Sequence, residues 1–212
     1  IDPQNTEAYY MKACVYEELY KYDEAMECLD KVIKIDPKYA GAYNLKGTMF
    51  EELGEDENAI KLYDKAIALD SDEPVFYGNK ARLLYYLGEY EEAIEYADKA
   101  IEIDPKFVRA YFIKGDVYIS LNKYDEAMRC FGKAIEIDPT YSDAYNSKGK
   151  IFYDLGDYEN AIVQFDKAIA ADSSYYRFYY NKGDSLVALE RYEEALDAFK
   201  KSLELDQENA AT

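Results

Sequence analysis

The chain is 212 residues long and carries 44 acidic against 25 basic residues, a formal charge of −19 that disfavours nucleic acid and anionic membrane surfaces and favours a basic partner. It has no histidine and no tryptophan but 25 tyrosines, so the commonest general base is absent while large, half-polar contact surface is plentiful. No apolar run is long enough to span a membrane, and Cys14, Cys28 and Cys130 form no CxxC pair, which excludes a zinc site and fits free thiols in a reducing cytoplasm.

Taken from the start, the chain opens on Ile1-Asp2-Pro3, the same tripeptide that closes later segments at Ile35-Asp36-Pro37 and Ile103-Asp104-Pro105. Residues 1–5 therefore read as the end of a preceding, truncated repeat. From residue 6 a unit of 34 residues recurs without insertion or deletion, at 6–39, 40–73, 74–107, 108–141, 142–175 and 176–209, and 210–212 form a tail. A fixed period of this size is the mark of a repeat architecture. Each unit holds two helical patterns. In the first, Ala8, Tyr9, Val15, Tyr16 and Leu19 have helical spacing. A turn follows, and Ala25, Met26, Leu29, Val32 and Ile33 resume the period. Glycine marks the turn at Gly54, Gly88 and Gly156, where a helix end takes a left-handed residue. Acidic pairs such as Asp23-Glu24 and Glu91-Glu92 begin the second helix and complement its dipole, which accounts for them without a ligand. Asp-Pro ends it in three repeats and Asp-Ser in two.

Small residues recur at two positions. Ala13, Gly47, Ala81, Gly115, Gly149 and Gly183 lie on the first helix, and Ala25 with its five equivalents lies on the second. They let the helices approach closely, with Leu29, Tyr63, Phe131, Phe165 or Phe199 filling the next contact; the third repeat has Ala97 there.

Tyr111, Gly115, Tyr118, Ala127, Phe131, Ala134 and Pro139 stand at the spacing of the tetratricopeptide repeat, and residues 6–209 resemble that family throughout. The resemblance implies an all-α, right-handed superhelical solenoid of six helix–turn–helix units and twelve helices. First helices would line a concave groove, second helices the convex back. It also implies a peptide or helix of a partner protein as ligand, without catalysis or cofactor. Two departures stand out. The early aromatic is always tyrosine, and a lysine precedes the small residue in every repeat: Lys12, Lys46, Lys80, Lys114, Lys148 and Lys182. A buried lysine needs a partner. The expected one is the Asp that closes the preceding repeat, as in Lys114 with Asp104.

The repeats are also paired among themselves. The first and fourth share 19 of 34 residues, the first and second only 11. The recurring block is thus three repeats long, an internal duplication of 6–107 and 108–209 whose halves should superpose.

On the resemblance, the peptide-binding groove falls on Tyr10, Asn44, Asn79, Arg82, Tyr85, Arg109, Phe112, Asn146, Lys150, Tyr153, Tyr180 and Asn181. Asparagine both gives and accepts hydrogen bonds, as an extended peptide requires, and the aromatic residues offer anchors. The set of Lys, Asn and Arg that grips acidic chaperone tails is missing, and so is most of the asparagine ladder of sugar-transferring relatives. No glycine-rich phosphate loop occurs. The expected role is a protein-interaction scaffold in the cytoplasm. The alternatives are end-to-end self-association through uncapped terminal helices, and service as an accessory region of a larger enzyme or regulator.

Overall fold

The computed structural model describes residues 5–210, and among them twelve α-helices and no strand. The first helices of the repeats are α1 (Thr6–Glu18), α3 (Ala40–Glu52), α5 (Pro74–Tyr86), α7 (Val108–Ser120), α9 (Ser142–Asp154) and α11 (Tyr176–Ala188). The second helices are α2 (Tyr22–Ile35), α4 (Asp56–Leu69), α6 (Tyr90–Ile103), α8 (Tyr124–Ile137), α10 (Tyr158–Ala171) and α12 (Tyr192–Ala210). Every helix begins 34 residues after its predecessor of the same kind. The chain is an all-α helical-repeat solenoid. It divides into two compact units, Ile1–Ile113 and Lys114–Thr212, the division falling within α7. In the first unit each helix packs on the next from α1 to α6, and α1 and α5 also touch α3. In the second, α8 to α12 pack in the same serial way and α9 touches α11.

The turn inside each repeat is built on one left-handed residue. Tyr20, Gly54, Gly88, Asn122, Gly156 and Glu190 all have positive φ, and they are spaced 34 apart. At each the following N–H reaches back five residues, as from Lys21 to the Tyr16 carbonyl at 2.8 Å, which satisfies the exposed end of the first helix. Three of the six are not glycine, so they adopt this conformation against the clash of their own Cβ. Glu190→Gly should therefore raise stability by about 0.5–1 kcal/mol, measured as a shift in the urea midpoint. An unchanged or lower midpoint would count against this reading of the turn.

In four of the six repeats the core is a ring laid on a glycine. A Cβ added to Gly149 would stand 2.5 Å from Cε1 of Phe165, and one added to Gly47 would stand 2.7 Å from Cε1 of Tyr63; Gly115 with Phe131 and Gly183 with Phe199 repeat the arrangement. Where the second helix offers Leu29 or Ala97 instead, the first helix has Ala13 or Ala81, and all four are fully buried. Ring size and glycine are thus matched within single repeats. Gly149→Ala should overpack Phe165 and lower stability by about 1–2 kcal/mol. Chemical denaturation checks this, and a neutral result would mean that the ring yields freely.

The lysine series does form ion pairs, but not with the predicted acids. The Lys46 ammonium is paired with Asp30, Lys80 with Asp64 at 2.5 Å, and Lys182 with Asp166 at 2.7 Å. Each partner lies on the second helix of the preceding repeat, six residues before the closing Asp. The closing Asp is engaged in its own turn: Asp36, Asp70, Asp104, Asp138 and Asp172 each accept the N–H two residues ahead, at 2.9–3.1 Å. Those short local bonds are formed wherever the helix ends, which leaves the acid facing its own loop. Lys80 is the most buried of the paired lysines; burial alone would lower its pKa, yet Asp64 and the Tyr96 hydroxyl at 2.8 Å raise it on balance.

One rung is missing. Gly132 stands where an Asp would meet Lys148, and burial, with the charge of Lys167, pushes the Lys148 pKa down. A Cβ at Gly132 would meet nothing within 4 Å. Gly132→Ala should stabilise α8 by about 1 kcal/mol through helix propensity alone. Asp is the poorer helix former by about 0.5 kcal/mol, yet Gly132→Asp should equal or exceed Gly132→Ala because it gives Lys148 a partner. In a Lys148→Met background the order should revert to propensity, and an order that does not depend on residue 148 would remove the rung.

Candidate functional site

The first helices carry the predicted groove residues, and in the first unit several of these are already engaged within the chain. Asn79, buried on α5, donates from Nδ2 to Oδ1 of Asn44 on α3 at 3.0 Å. Arg82, one turn further along α5, grips Glu51 on α3 with both nitrogens: Nη1 to Oε1 at 2.6 Å and Nη2 to Oε2 at 3.1 Å. The hydroxyl of the fully buried Tyr63 donates to the same carboxylate at 2.8 Å. Burial pushes the Glu51 pKa up while Tyr63 and Arg82 pull it back. Burial also raises Tyr63 above the usual tyrosine range, with the Glu51 charge adding to it. Tyr10 packs its ring 5.0 Å from Tyr39, and burial with the neighbouring Cys14 raises it to about 12. Tyr10 and Asn44 share a hollow of about 620 Å³ with Tyr39 and Glu73, which precede α3 and α5, and with Phe76 in the first turn of α5. Tyr85 is half-buried, with its ring 5.3 Å from Tyr86; Arg109 is exposed and Phe112 half-buried on α7.

In the second unit the amide pair recurs: Asn181 on α11 donates to Asn146 on α9 at 2.8 Å. The Arg–Glu clamp does not. A hollow of about 210 Å³ lies here, lined by Lys150, Tyr153, Asp154, Phe165, Asn181 and Asp184. Three predicted groove residues, Lys150, Tyr153 and Asn181, thus meet in one place. Tyr180 is not part of the lining but lies beside it, half-exposed, with its ring 5.6 Å from Phe199 and its side chain acting on Asp184. Burial raises the Asp184 pKa, with the Tyr180 side chain pulling the other way, and it raises Asp116 on α7 to about 7, against the pull of Lys150 and with help from Asp143.

The contributions that sequence reasoning missed have visible signals. Asp30, Asp64 and Asp166 lie a constant 16 residues before their lysines. Tyr63 is the one tyrosine in a position otherwise held by Leu, Ala or Phe, and its hydroxyl reaches the site. Phe165 was legible as a packing residue but not as part of the hollow. Among the described residues no helix is long and apolar enough to cross a membrane, and no group of three or more His, Cys, Asp or Glu is placed to hold a metal ion.

Comparison with known proteins agrees with the helical-repeat fold. A family model described as the tetratricopeptide repeat protein 21 N-terminal ARM repeat matches residues 2–128, and two tetratricopeptide repeat models match residues 115–156 and 146–210. The chain belongs to the tetratricopeptide repeat family. Solved structures share its fold. PilF of Pseudomonas aeruginosa is 22% identical, with a TM-score of 0.81 over 98% of this chain and 97% of that one. PilW, a type IV pilus biogenesis factor, is 18% identical, with a TM-score of 0.81 over 91% and 90%. YrrB, a tetratricopeptide repeat protein with an unusual peptide-binding site, is 23% identical, with a TM-score of 0.60 over 85% and 93%. No curated protein matches the chain significantly. Tetratricopeptide repeats typically serve as non-enzymatic scaffolds, and a protein-interaction role in general is what the family assigns to this chain.

Proposed function

We propose that this tetratricopeptide repeat chain holds a peptide or helical segment of a partner protein against the faces of its first helices, with basic segments favoured. The observation that carries the reading is the hollow of the second unit, where Lys150, Tyr153 and Asn181 converge from two successive first helices. The amide pairs support it: each uses one N–H and one carbonyl oxygen, and leaves the Asn44 and Asn146 amino groups to bond an extended backbone. YrrB supplies an example of this fold with a peptide-binding site. Net charge favours a basic ligand. Cys14, Cys28 and Cys130 are thiols rather than disulfides, which fits the cytoplasm. The test is selection of a displayed random-peptide library on the purified chain. Selected peptides should lose affinity at least tenfold on Tyr153→Ala or Asn181→Ala and keep it on Lys167→Ala, which lies on α10. Equal binding to all three variants, or no selected binder, would sink the proposal.

A second reading, association of copies through α1 and α12, rests on register. Met11 and Val15 are 54% and 57% exposed, whereas their equivalents Leu45, Met49, Leu83 and Ile151 are buried; Leu196 and Leu203 on α12 are 69% and 61% exposed. Light scattering over a concentration series tests it: mass that grows with concentration, and stops growing in Met11→Glu/Leu203→Glu, supports association.

A further inference from the structure

The two units answer the same structural position with opposite chemistry. Residues 102 apart occupy the same place in the duplicated pattern, so Glu51, Tyr63, Asn79 and Arg82 of the first unit correspond to Tyr153, Phe165, Asn181 and Asp184 of the second. In the first unit the chain supplies its own guanidinium: Arg82 lies across the groove face and is held by both oxygens of Glu51. In the second unit the cation is replaced by an acid and its carboxylate partner by an aromatic ring. Asp184 and Tyr153 therefore cannot close on each other as an ion pair, and they line an open hollow with room for one long side chain.

We infer that the hollow of the second unit is an anchor pocket for an arginine side chain of the bound segment, the partner providing in trans the guanidinium that Arg82 provides in cis in the first unit. The lining suits that group on three counts. Asp184 and Asp154 are carboxylates placed to accept its N–H donors. Asn181 lines the same space, and with its amino group donating to Asn146 its carboxamide oxygen remains an acceptor for the guanidinium. The rings of Tyr153 and Phe165 give a planar cation and its apolar stem a surface to stack on. Lys150 does not take the role: it is exposed, and among the described residues no ion pair within 4 Å joins it to either acid, its charge instead acting on Asp116. Half-burial of Asp184 raises its pKa, as expected of a carboxylate that gains from an incoming cation. Arginine is favoured over lysine because a compact, strongly hydrated ammonium neither stacks nor bonds in two places at once.

The inference rests on the peptide-binding reading above and is tested so that the two can fail separately. Peptides selected on the wild-type chain are resynthesised with each arginine changed to citrulline, which keeps the shape and removes the charge. Both sets are titrated by calorimetry into wild-type chain and two variants. One is Asp184→Asn. The other, Tyr153→Glu/Asp184→Arg, installs the clamp of the first unit. Circular dichroism melts verify that each variant is folded. The expected result is an arginine in the selected peptides whose change to citrulline lowers affinity tenfold or more, a similar loss on Asp184→Asn, and abolished binding on the double variant. If the double variant does not fold, Asp184→Asn with the citrulline pair decides alone. Selected peptides without a basic residue, or affinities within twofold across citrulline and Asp184→Asn, overturn the arginine pocket while leaving peptide binding intact. Failure to select any peptide overturns both.

Discussion

Replacing Arg82 by methionine should destabilise the protein by about 2–4 kcal/mol. Methionine keeps the apolar stem but removes both bonds to Glu51, leaving that carboxylate with the Tyr63 hydroxyl as its remaining partner in a largely buried position. Removing one member of a buried pair costs more than the pair contributes, because an uncompensated charge remains. The sign of the pH dependence follows. Glu51 is already raised in the folded chain by burial, so its ionisation opposes folding as pH rises through and above the ordinary carboxylate range. Loss of Arg82 raises it further. The deficit of Arg82→Met should therefore be greatest at neutral pH and shrink below about pH 4, where the carboxyl is protonated in folded and unfolded chains alike. Urea unfolding at pH 4 and pH 7 measures both quantities. A deficit under about 0.5 kcal/mol, the size of a surface pair, would mean that the clamp is ornamental.

Asp116→Asn should act in the opposite direction. In the folded chain burial lifts Asp116 from 3.8 to about 7, with Lys150 pulling down and Asp143 pushing up. The folded state thus binds a proton that the unfolded state releases between those values, and stability falls as pH rises through that window and is flat above it. Wild type and Asp116→Asn should have similar stability near pH 4 and diverge progressively. The variant should be the more stable by about 2–4 kcal/mol above pH 7, the upper figure being the whole shift at ~1.4 kcal/mol per unit. Melts at pH 4, 6 and 8 decide it. A constant difference across this range would show that the effect is not proton-linked.

These two cases mark where sequence reading reaches and where it stops. The helices were legible because period 34, the turn glycines and the Asp-Pro ends are local signals, and helix bounds recur at that period. The non-glycine turn residues Tyr20, Asn122 and Glu190 were not, since the hydrogen bonds that end the first helix impose positive φ on whichever residue stands there. At the candidate site the relevant residue types were visible but their pairings were not. Asn44 and Asn79 are 35 residues apart, and Glu51 and Arg82 are 31 apart. Whether such residues face a ligand or each other depends on how two helices sit, and side-chain lists carry no such information. The lysine series failed for a related reason. Before Lys46, Lys80 and Lys182 two Asp residues of the preceding second helix were available, and the nearer in sequence was already consumed by its own backbone turn.

The match of ring to glycine inside each repeat bears on how such a chain can be recombined. Gly47 with Tyr63, Gly149 with Phe165 and Gly183 with Phe199 all lie within single repeats, whereas Lys46 with Asp30 and Lys182 with Asp166 join neighbours through a generic charge pair. A crossover in the loop between repeats therefore transplants a complete lock and key, with an interchangeable coupling at its edge. A crossover at the turn within a repeat would set a phenylalanine against Ala13 or a leucine against Gly115, giving a clash in one product and a void in the other. Copying of this chain is expected to be tolerated in whole multiples of 34 residues with joints in the Asp-Pro and Asp-Ser loops, which makes those loops the natural splice points for shuffling the interaction surface without rebuilding the core.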